Sequence, residues 1–267
     1  MHKPILKWAG GKTRLVPRIL EALPAGSRLV EPFCGSCAVS LNAPGYERYW
    51  LNDANQPLIQ FYTQLDAQGD WLIKQAKDYY APARNTHSEF EKIRSDFNGN
   101  HTAEAFLYLN RHCFNGLWRV NSKGGFNVPY GKYKAPYFPE KEMRHFLEHF
   151  NGIANFTVKD FREVFQELAL GDVVYADPPY LPLTDTADFT SYTAGGFSLE
   201  SQKDLAACAE IARDIGVPVI ISNHDTPLAR EIFGKATKID SFSVRRSIAA
   251  KGSSRGEVKE ILAHYLP

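Results

Sequence analysis

The apolar run Val173-Val174-Tyr175-Ala176 stops at Asp177-Pro178-Pro179-Tyr180. A short apolar run containing β-branched and aromatic residues reads as a strand buried on both faces, and such strands belong to parallel sheets covered by helices. Two successive prolines end it, because each fixes φ and neither can donate to a sheet ladder. In open parallel sheets ligands bind beyond the carboxyl ends of the strands, so the turn after Ala176 is where chemistry is expected. An Asp carboxylate and a proline carbonyl can both accept from one amine, with a tyrosine ring beside them as a stacking platform. That combination suits the exocyclic amino group of a flat base.

The rest of the chain supplies the sheet. An apolar strand over residues 28–33 leads through Cys34-Gly35-Ser36 into an expected helix at 37–42. A second strand at 48–51 closes on Asn52-Asp53, which completes a β-α-β opening. From 56 to 150 the periodicity turns helical, with Leu58, Ile59, Tyr62 and Leu65, then Phe90, Ile93 and Phe97, then residues 103–112, followed by a glycine-rich hairpin from Gly124-Gly125 to Gly131. Alternation then resumes, with strands expected at 155–158, 173–176, 217–222, 238–242 and 257–264 and helices at 161–168, 199–215 and 226–233. The pattern predicts an α/β fold in which 1–55 and 151–267 form one discontinuous doubly wound domain and 56–150 is an inserted helical subdomain with a basic β-hairpin.

With 267 residues and 44% hydrophobic content, the chain can bury one large core carrying such an insertion. The formal net charge of +1 says little; its distribution says more. Residues 105–139 contain no Asp or Glu, yet carry Arg111, Arg119, Lys123, Lys132 and Lys134 among Phe106, Phe114, Trp118, Phe126, Tyr130, Tyr133 and other aromatics. Cations suit phosphates and rings suit bases, which points to nucleic acid. A second acid-free stretch, 241–256, carries Arg245, Arg246, Lys251 and Arg255. The four cysteines make no disulfide framework in a chain this long, and Cys34-Gly35-Ser36-Cys37 lacks two further ligands for zinc, so no metal is expected. Nothing resembles a signal peptide or a membrane span, so a soluble, cytoplasmic protein is expected, associated with the nucleoid only through DNA.

Gly11-Lys12-Thr13 looks like the end of a phosphate-binding loop, but Leu6 stands where that loop needs its first glycine, which argues against an ATPase. Glu31-Pro32-Phe33-Cys34-Gly35 ends the first strand and Asp53 ends the second, where an acid can accept from ribose hydroxyls. Without G-x-G-x-x-G, a nucleoside cofactor lacking a pyrophosphate fits better than a dinucleotide.

Taken together, KWAGGK, EPFCG, LND, DPPY, SNHDT, LNRHCFNGLWR and GGFNVPYGKY resemble the Dam-type DNA adenine methyltransferases over nearly the entire chain, in the alpha order of amino-methyltransferases. The resemblance implies a seven-stranded Rossmann-like sheet ending in an antiparallel strand at 257–264, with S-adenosylmethionine as cofactor and 56–150 as the target recognition domain. It implies that Trp8, Gly10 and Lys12 border the methionine end of the cofactor, Phe33 and Gly35 wall it, Asp53 holds its ribose, and Asp160 and Phe161 contact its adenine. Asp177, with Pro178, Pro179 and Tyr180, becomes the catalytic turn near both cofactor and target amine. For double-stranded DNA, the resemblance implies that Lys7 reads a guanine, that Leu117, Arg119, Pro129 and Tyr133 contact further bases of GATC, and that Phe114 and Asn115 wedge into the stack. Cys37 stands where the family often has a small residue such as glycine. No obligate protein partner is implied. The rival readings are methylation of cytosine N4 or of adenine in another site, a non-catalytic DNA-binding relative, and a nucleotide-dependent oxidoreductase.

Overall fold

The computed structural model describes residues 1–183, 197–245 and 257–267. Its elements in chain order are α1 (Val16–Ala22), β1 (Arg28–Glu31), β2 (Arg48–Asn52), α2 (Gln56–Gln68), α3 (Asp70–Asp78), α4 (His87–Asn100), α5 (Ala103–His112), α6 (Glu140–Phe150), β3 (Ala154–Thr157), α7 (Phe161–Gln166), β4 (Asp172–Ala176), α8 (Leu199–Asp214), β5 (Val219–His224), α9 (Pro227–Ile232), β6 (Lys238–Arg245) and β7 (Glu257–Tyr265). The sheet has seven strands in the order β3-β2-β1-β4-β5-β7-β6. The β4–β5 pair is parallel, whereas β7 runs antiparallel to both β5 and β6, as the resemblance implied. No helix among the described residues is long and apolar enough to cross a membrane.

By compactness the chain divides into two units, residues 1–20 with 34–158, and residues 21–33 with 159–267. In the first unit, β2 and β3 pair in parallel and α2 follows the turn after β2. Asn55 starts α2 by accepting from the Leu58 amide, with Pro57 in the first turn, where its missing N–H costs nothing. Tyr62 of α2 stacks on Phe146 of α6 and Phe156 of β3, with centroids 5.2 and 5.9 Å away. Eight of the ten residues of α5 are buried, which makes it a central helix rather than an amphipathic surface one. Trp118 closes this aromatic core, 4.7 Å from Phe106 and 4.9 Å from Phe126.

In the second unit every residue of β4 is buried. Arg28 and Asp172 are register partners of β1 and β4, and the guanidinium meets the carboxylate through two bonds of 2.7 Å, which pins the start of both strands. Helices α8 and α9 begin on Ser198 and Thr226, each accepting an amide from the first turn, and α7 begins on a capping box between Asp160 and Glu163.

Three expectations need correction. Residues 37–42 form no α-helix, only a 3₁₀ turn at Ser40–Asn42, because Cys37 sits at φ 56°, a left-handed conformation that no right-handed helix can include. The hairpin turns at Asn121–Gly125 rather than spanning Gly124 to Gly131; its arms are joined by isolated antiparallel bridges between Val120 and Phe126 and between Cys113 and Tyr130. Helix α1 lies where no element is expected, whereas α3 and α6 fall within 56–150, the stretch expected to be helical; α6 buries Met143, Phe146 and Phe150 at helical spacing.

Candidate active site and DNA-contacting residues

The second unit holds the Asp177-Pro178-Pro179-Tyr180 turn directly beyond β4. Ala176 and Ile221 are register partners of β4 and β5, so the residues that follow them, Asp177 and Ser222, come side by side. Ser222 Oγ donates to Asp177 Oδ1 at 2.7 Å, and Tyr175 Oη lies 3.1 Å from the same Ser222 oxygen. The turn is braced from below. Gln202 Nε2 of α8 donates to the Pro179 carbonyl at 2.7 Å, and Asn223 Nδ2 of β5 donates to Gln202 Oε1 at 3.2 Å. Asn223 Oδ1 in turn accepts the Leu181 and His224 amides. Gln202 and Asn223 are fully buried, so these bonds fix the loop at positions where an unmade bond would be expensive. Tyr180 donates to Glu260 at 3.1 Å and meets the His224 ring edge-on at 4.8 Å, and burial holds its hydroxyl well above the ordinary phenol range.

Phe33, beyond β1, makes a three-ring group with Phe161 and Phe197, centroids 5.4 to 5.5 Å apart. Asp160 caps α7 and is also bonded by the Arg162 guanidinium at 3.0 and 3.1 Å, so its carboxylate serves the helix start.

In the first unit, Asp53 ends β2 and its two oxygens accept the amides of Gly35 at 3.1 Å and Asn55 at 2.9 Å. Its pKa is raised, with burial as the main cause, partly opposed by those two donors. Gly35 has φ 46°, and a Cβ there would lie 3.0 Å from the Trp8 ring, so glycine lets the indole press against the loop. The Gly35 carbonyl accepts from the buried Tyr62 hydroxyl at 3.1 Å. Lys12 Nζ donates to the Gly10 carbonyl at 2.8 Å within the Trp8–Gly11 turn. In this unit the Asp53 carboxylate, at the end of a strand, is of a kind suited to a ribose diol. Cys34, Cys37, Cys113 and Cys208 are free thiols, and the described residues contain no cluster able to hold a metal.

The same unit carries the residues expected at DNA. Asn110, fully buried on α5, accepts the Lys7 amide at 2.9 Å and donates to the Lys7 carbonyl at 2.7 Å. Lys7 Nζ lies 4.2 Å from the centroid of Tyr133, whose hydroxyl accepts the Asn115 amide at 3.0 Å. Burial, and then the nearby Arg111 charge, lower the Lys7 pKa. Arg119 donates through Nε to Asn127 Oδ1 at 2.8 Å and through an Nη to the Asn127 carbonyl at 3.2 Å, which spends part of its five-donor fork on the hairpin. Phe114 and Leu117 expose 49% and 40% of their surface, far more than core residues of that kind, and the Pro129 carbonyl holds Phe114 by its amide at 2.8 Å. In the second basic stretch, Arg246, Lys251 and Arg255 lie outside the described residues.

Lys7, Asn115 and Tyr133 are therefore brought together, and Trp8, Gly35 and Asp53 share one loop system. Asn110, Gln202, Ser222 and Asn223 were missed as functional supports. SNHDT and LNRHCFNG contained three of them as quoted motif letters, but Gln202, in the middle of a helix, carries no local signal.

The model of the D12 class N6 adenine-specific DNA methyltransferases matches residues 8–248. The chain is 43% identical to the DNA adenine methylase of Vibrio cholerae, covering 100% of this chain and 97% of that protein. It is also 43% identical to the DNA adenine methylase of Escherichia coli, covering 100% and 96%. The DNA N-6-adenine-methyltransferase of Escherichia phage P1 is 42% identical over 99% of this chain, which spans 36% of that longer protein. The chain belongs to the D12 class N6 adenine-specific DNA methyltransferases.

Proposed function

We propose that this DNA N6-adenine methyltransferase takes its methyl group from S-adenosylmethionine and acts on adenine in duplex GATC. The observation that carries the reading is the Asp177-Pro178-Pro179-Tyr180 turn, held by Gln202, Ser222 and Asn223 beyond a buried strand. An adenine amine is out of reach inside a helix, so the base is flipped out and stacks on Tyr180. The N6 lone pair is delocalised into the ring and is a poor nucleophile. Asp177 and the Pro178 carbonyl accept from the amine and favour a more tetrahedral nitrogen, so positioning and electrostatics lower the barrier. When bound, S-adenosylmethionine would supply an electrophilic methyl group on a sulfonium sulfur, with the neutral thioether as leaving group. The amine proton passes to Asp177 or to water. Asp53 would accept from the cofactor's ribose hydroxyls, Trp8, Gly10, Lys12 and Gly35 would border its methionine end, and Phe33 and Phe161 would flank its adenine.

Transfer of labelled methyl from S-adenosylmethionine to duplexes with and without GATC, followed by nucleoside analysis, tests the reading. Labelled N6-methyl-2′-deoxyadenosine confined to GATC is expected, and labelled N4-methyl-2′-deoxycytidine would overturn it. Asp53→Ala is expected to weaken S-adenosylhomocysteine binding by about 1 to 3 kcal/mol in calorimetry, the worth of hydrogen bonds to a charged acceptor; unchanged affinity would make Asp53 a loop brace only.

Arg119→Ala separates base reading from phosphate binding. A guanidinium bridging a guanine is worth roughly 1 to 3 kcal/mol, lost at one base pair only, whereas a phosphate contact lowers binding to every sequence and the salt slope by about one unit. Loss of discrimination at a single position of GATC is expected when all single-base variants are methylated at two salt concentrations. A uniform loss with unchanged preference would refute base reading by Arg119.

A further inference from the structure

The DPPY carboxylate is oriented by groups outside its own turn. Along β4, Tyr175 and Asp177 are two residues apart and point to the same face of the strand. Ile220 of β5 is the register partner of Tyr175, so Ser222, two residues beyond Ile220, projects on that face beside Asp177. Ser222 is 1% exposed and Tyr175 is 1% exposed, so neither hydroxyl has bulk water as an alternative partner. A serine hydroxyl owns one proton. At 2.7 Å from Asp177 Oδ1, a carboxylate oxygen that can only accept when ionised, Ser222 donates that proton there, the shortest of its bonds. Tyr175 Oη, 3.1 Å from Ser222 Oγ, must then be the donor in that pair. Burial holds the Tyr175 proton firmly, pushing its hydroxyl far above the ordinary phenol range, so it remains a donor across the working pH range.

We infer that Ser222 and Tyr175 form a directional relay, Tyr175 to Ser222 to Asp177, that fixes the Asp177 carboxylate for the target amine, with Ser222 as positioning residue and Tyr175 acting through it. The inference rests on Asp177 being the acceptor for that amine. Only a hydroxyl at 222 can both accept from Tyr175 and donate to Asp177, which distinguishes the relay from simple core packing at a strand end.

The test uses the full chain with saturating S-adenosylmethionine and a GATC duplex, with folding checked by circular dichroism and binding of S-adenosylhomocysteine and DNA measured separately. Ser222→Ala is expected to lower kcat about ten- to hundredfold, the worth of a hydrogen bond to a charged group, with both dissociation constants unchanged within about twofold. Tyr175→Phe removes one oxygen without changing the ring, and is expected to lower kcat about three- to tenfold. The double variant should be no slower than Ser222→Ala, and Ser222→Thr, which keeps a hydroxyl, should recover most of the rate. Full activity in Ser222→Ala, or losses that multiply in the double variant, would overturn the relay. Asp177→Ala is the parallel control: if it is inactive while Ser222→Ala is normal, only the relay falls, and if it is active the reading of Asp177 falls and takes the relay with it.

Discussion

Asp177→Ala is expected to lower the rate of methyl transfer by about a hundred- to thousandfold, roughly 2.7 to 4 kcal/mol of barrier, the size found when one electrostatic partner of a reacting group is removed. The effect falls on kcat rather than on binding. Asp177 is only half-buried at a strand end, and β4 before it is anchored independently by its own buried side chains and by the Arg28 pair. The Ser222 hydroxyl has another acceptor within reach, the Ala176 carbonyl at 3.4 Å, so losing the carboxylate does not strand that buried donor and the fold should survive. Single-turnover methyl transfer, with cofactor and DNA both saturating, is the measurement. Activity within about tenfold of wild type, less than 1.4 kcal/mol, would remove Asp177 from the chemistry.

The Asp177-Pro178-Pro179-Tyr180 turn is legible in the sequence because its signals are local: an apolar strand, then two prolines, then an aromatic ring. The same holds for β2 ending on Asp53 and for the cap-marked helices, where Asn55, Ser198 and Thr226 each precede their helix. What stayed hidden depends on pairing between distant segments. Ser222 becomes a neighbour of Asp177 only through the register of β4 on β5, and Asn110 meets Lys7 across 103 residues of chain. No window of sequence contains either contact. The error at 37–42 has a different source: a β-α-β opening places a helix after the Cys34-Gly35-Ser36 turn, but Cys37 adopts a left-handed conformation that ordinary residues rarely take. Helix α6 lies inside the stretch expected to be helical, but its bounds were not legible because its buried Met143, Phe146 and Phe150 are diluted by charged residues and by His145 and His149.

The Asn110–Lys7 contact shows how this hidden layer bears on specificity. One amide side chain bonds both the N–H and the carbonyl of Lys7, much as a neighbouring strand would, and Asn42 does the same for His2 with bonds of 2.6 and 3.0 Å. The segment that carries Lys7 and Trp8 is thus held by its backbone at two points, without belonging to the sheet. If Lys7 reads a base edge, as proposed, such an anchor spares the cost of ordering its backbone at each encounter, about 1 to 2 kcal/mol per residue.

Gly116→Ala is expected to be a strongly disruptive single-methyl change near the residues proposed to contact DNA. Gly116 has φ 64°, and a Cβ there would fall 2.3 Å from Lys7 Cβ and 2.7 Å from Lys7 Cδ. The first of these atoms is fixed by the backbone that Asn110 grips, so the lysine cannot simply swing aside. A left-handed alanine costs about 1 to 2 kcal/mol, and forcing a methyl into a filled site costs typically 1 to 3 kcal/mol, so roughly 2 to 5 kcal/mol is expected in all. At about 2 to 4 °C per kcal/mol for a chain of this size, the thermal midpoint should fall by several degrees or more. The displacement must also carry Lys7 away from its place 4.2 Å from the Tyr133 ring. If Lys7 reads a guanine, Gly116→Ala and Lys7→Ala should relax discrimination at the same base pair of GATC, and combining them should add nothing to that relaxation. Equal thermal loss with intact discrimination in Gly116→Ala, alongside relaxed discrimination in Lys7→Ala, would mean that the lysine finds its base without the glycine.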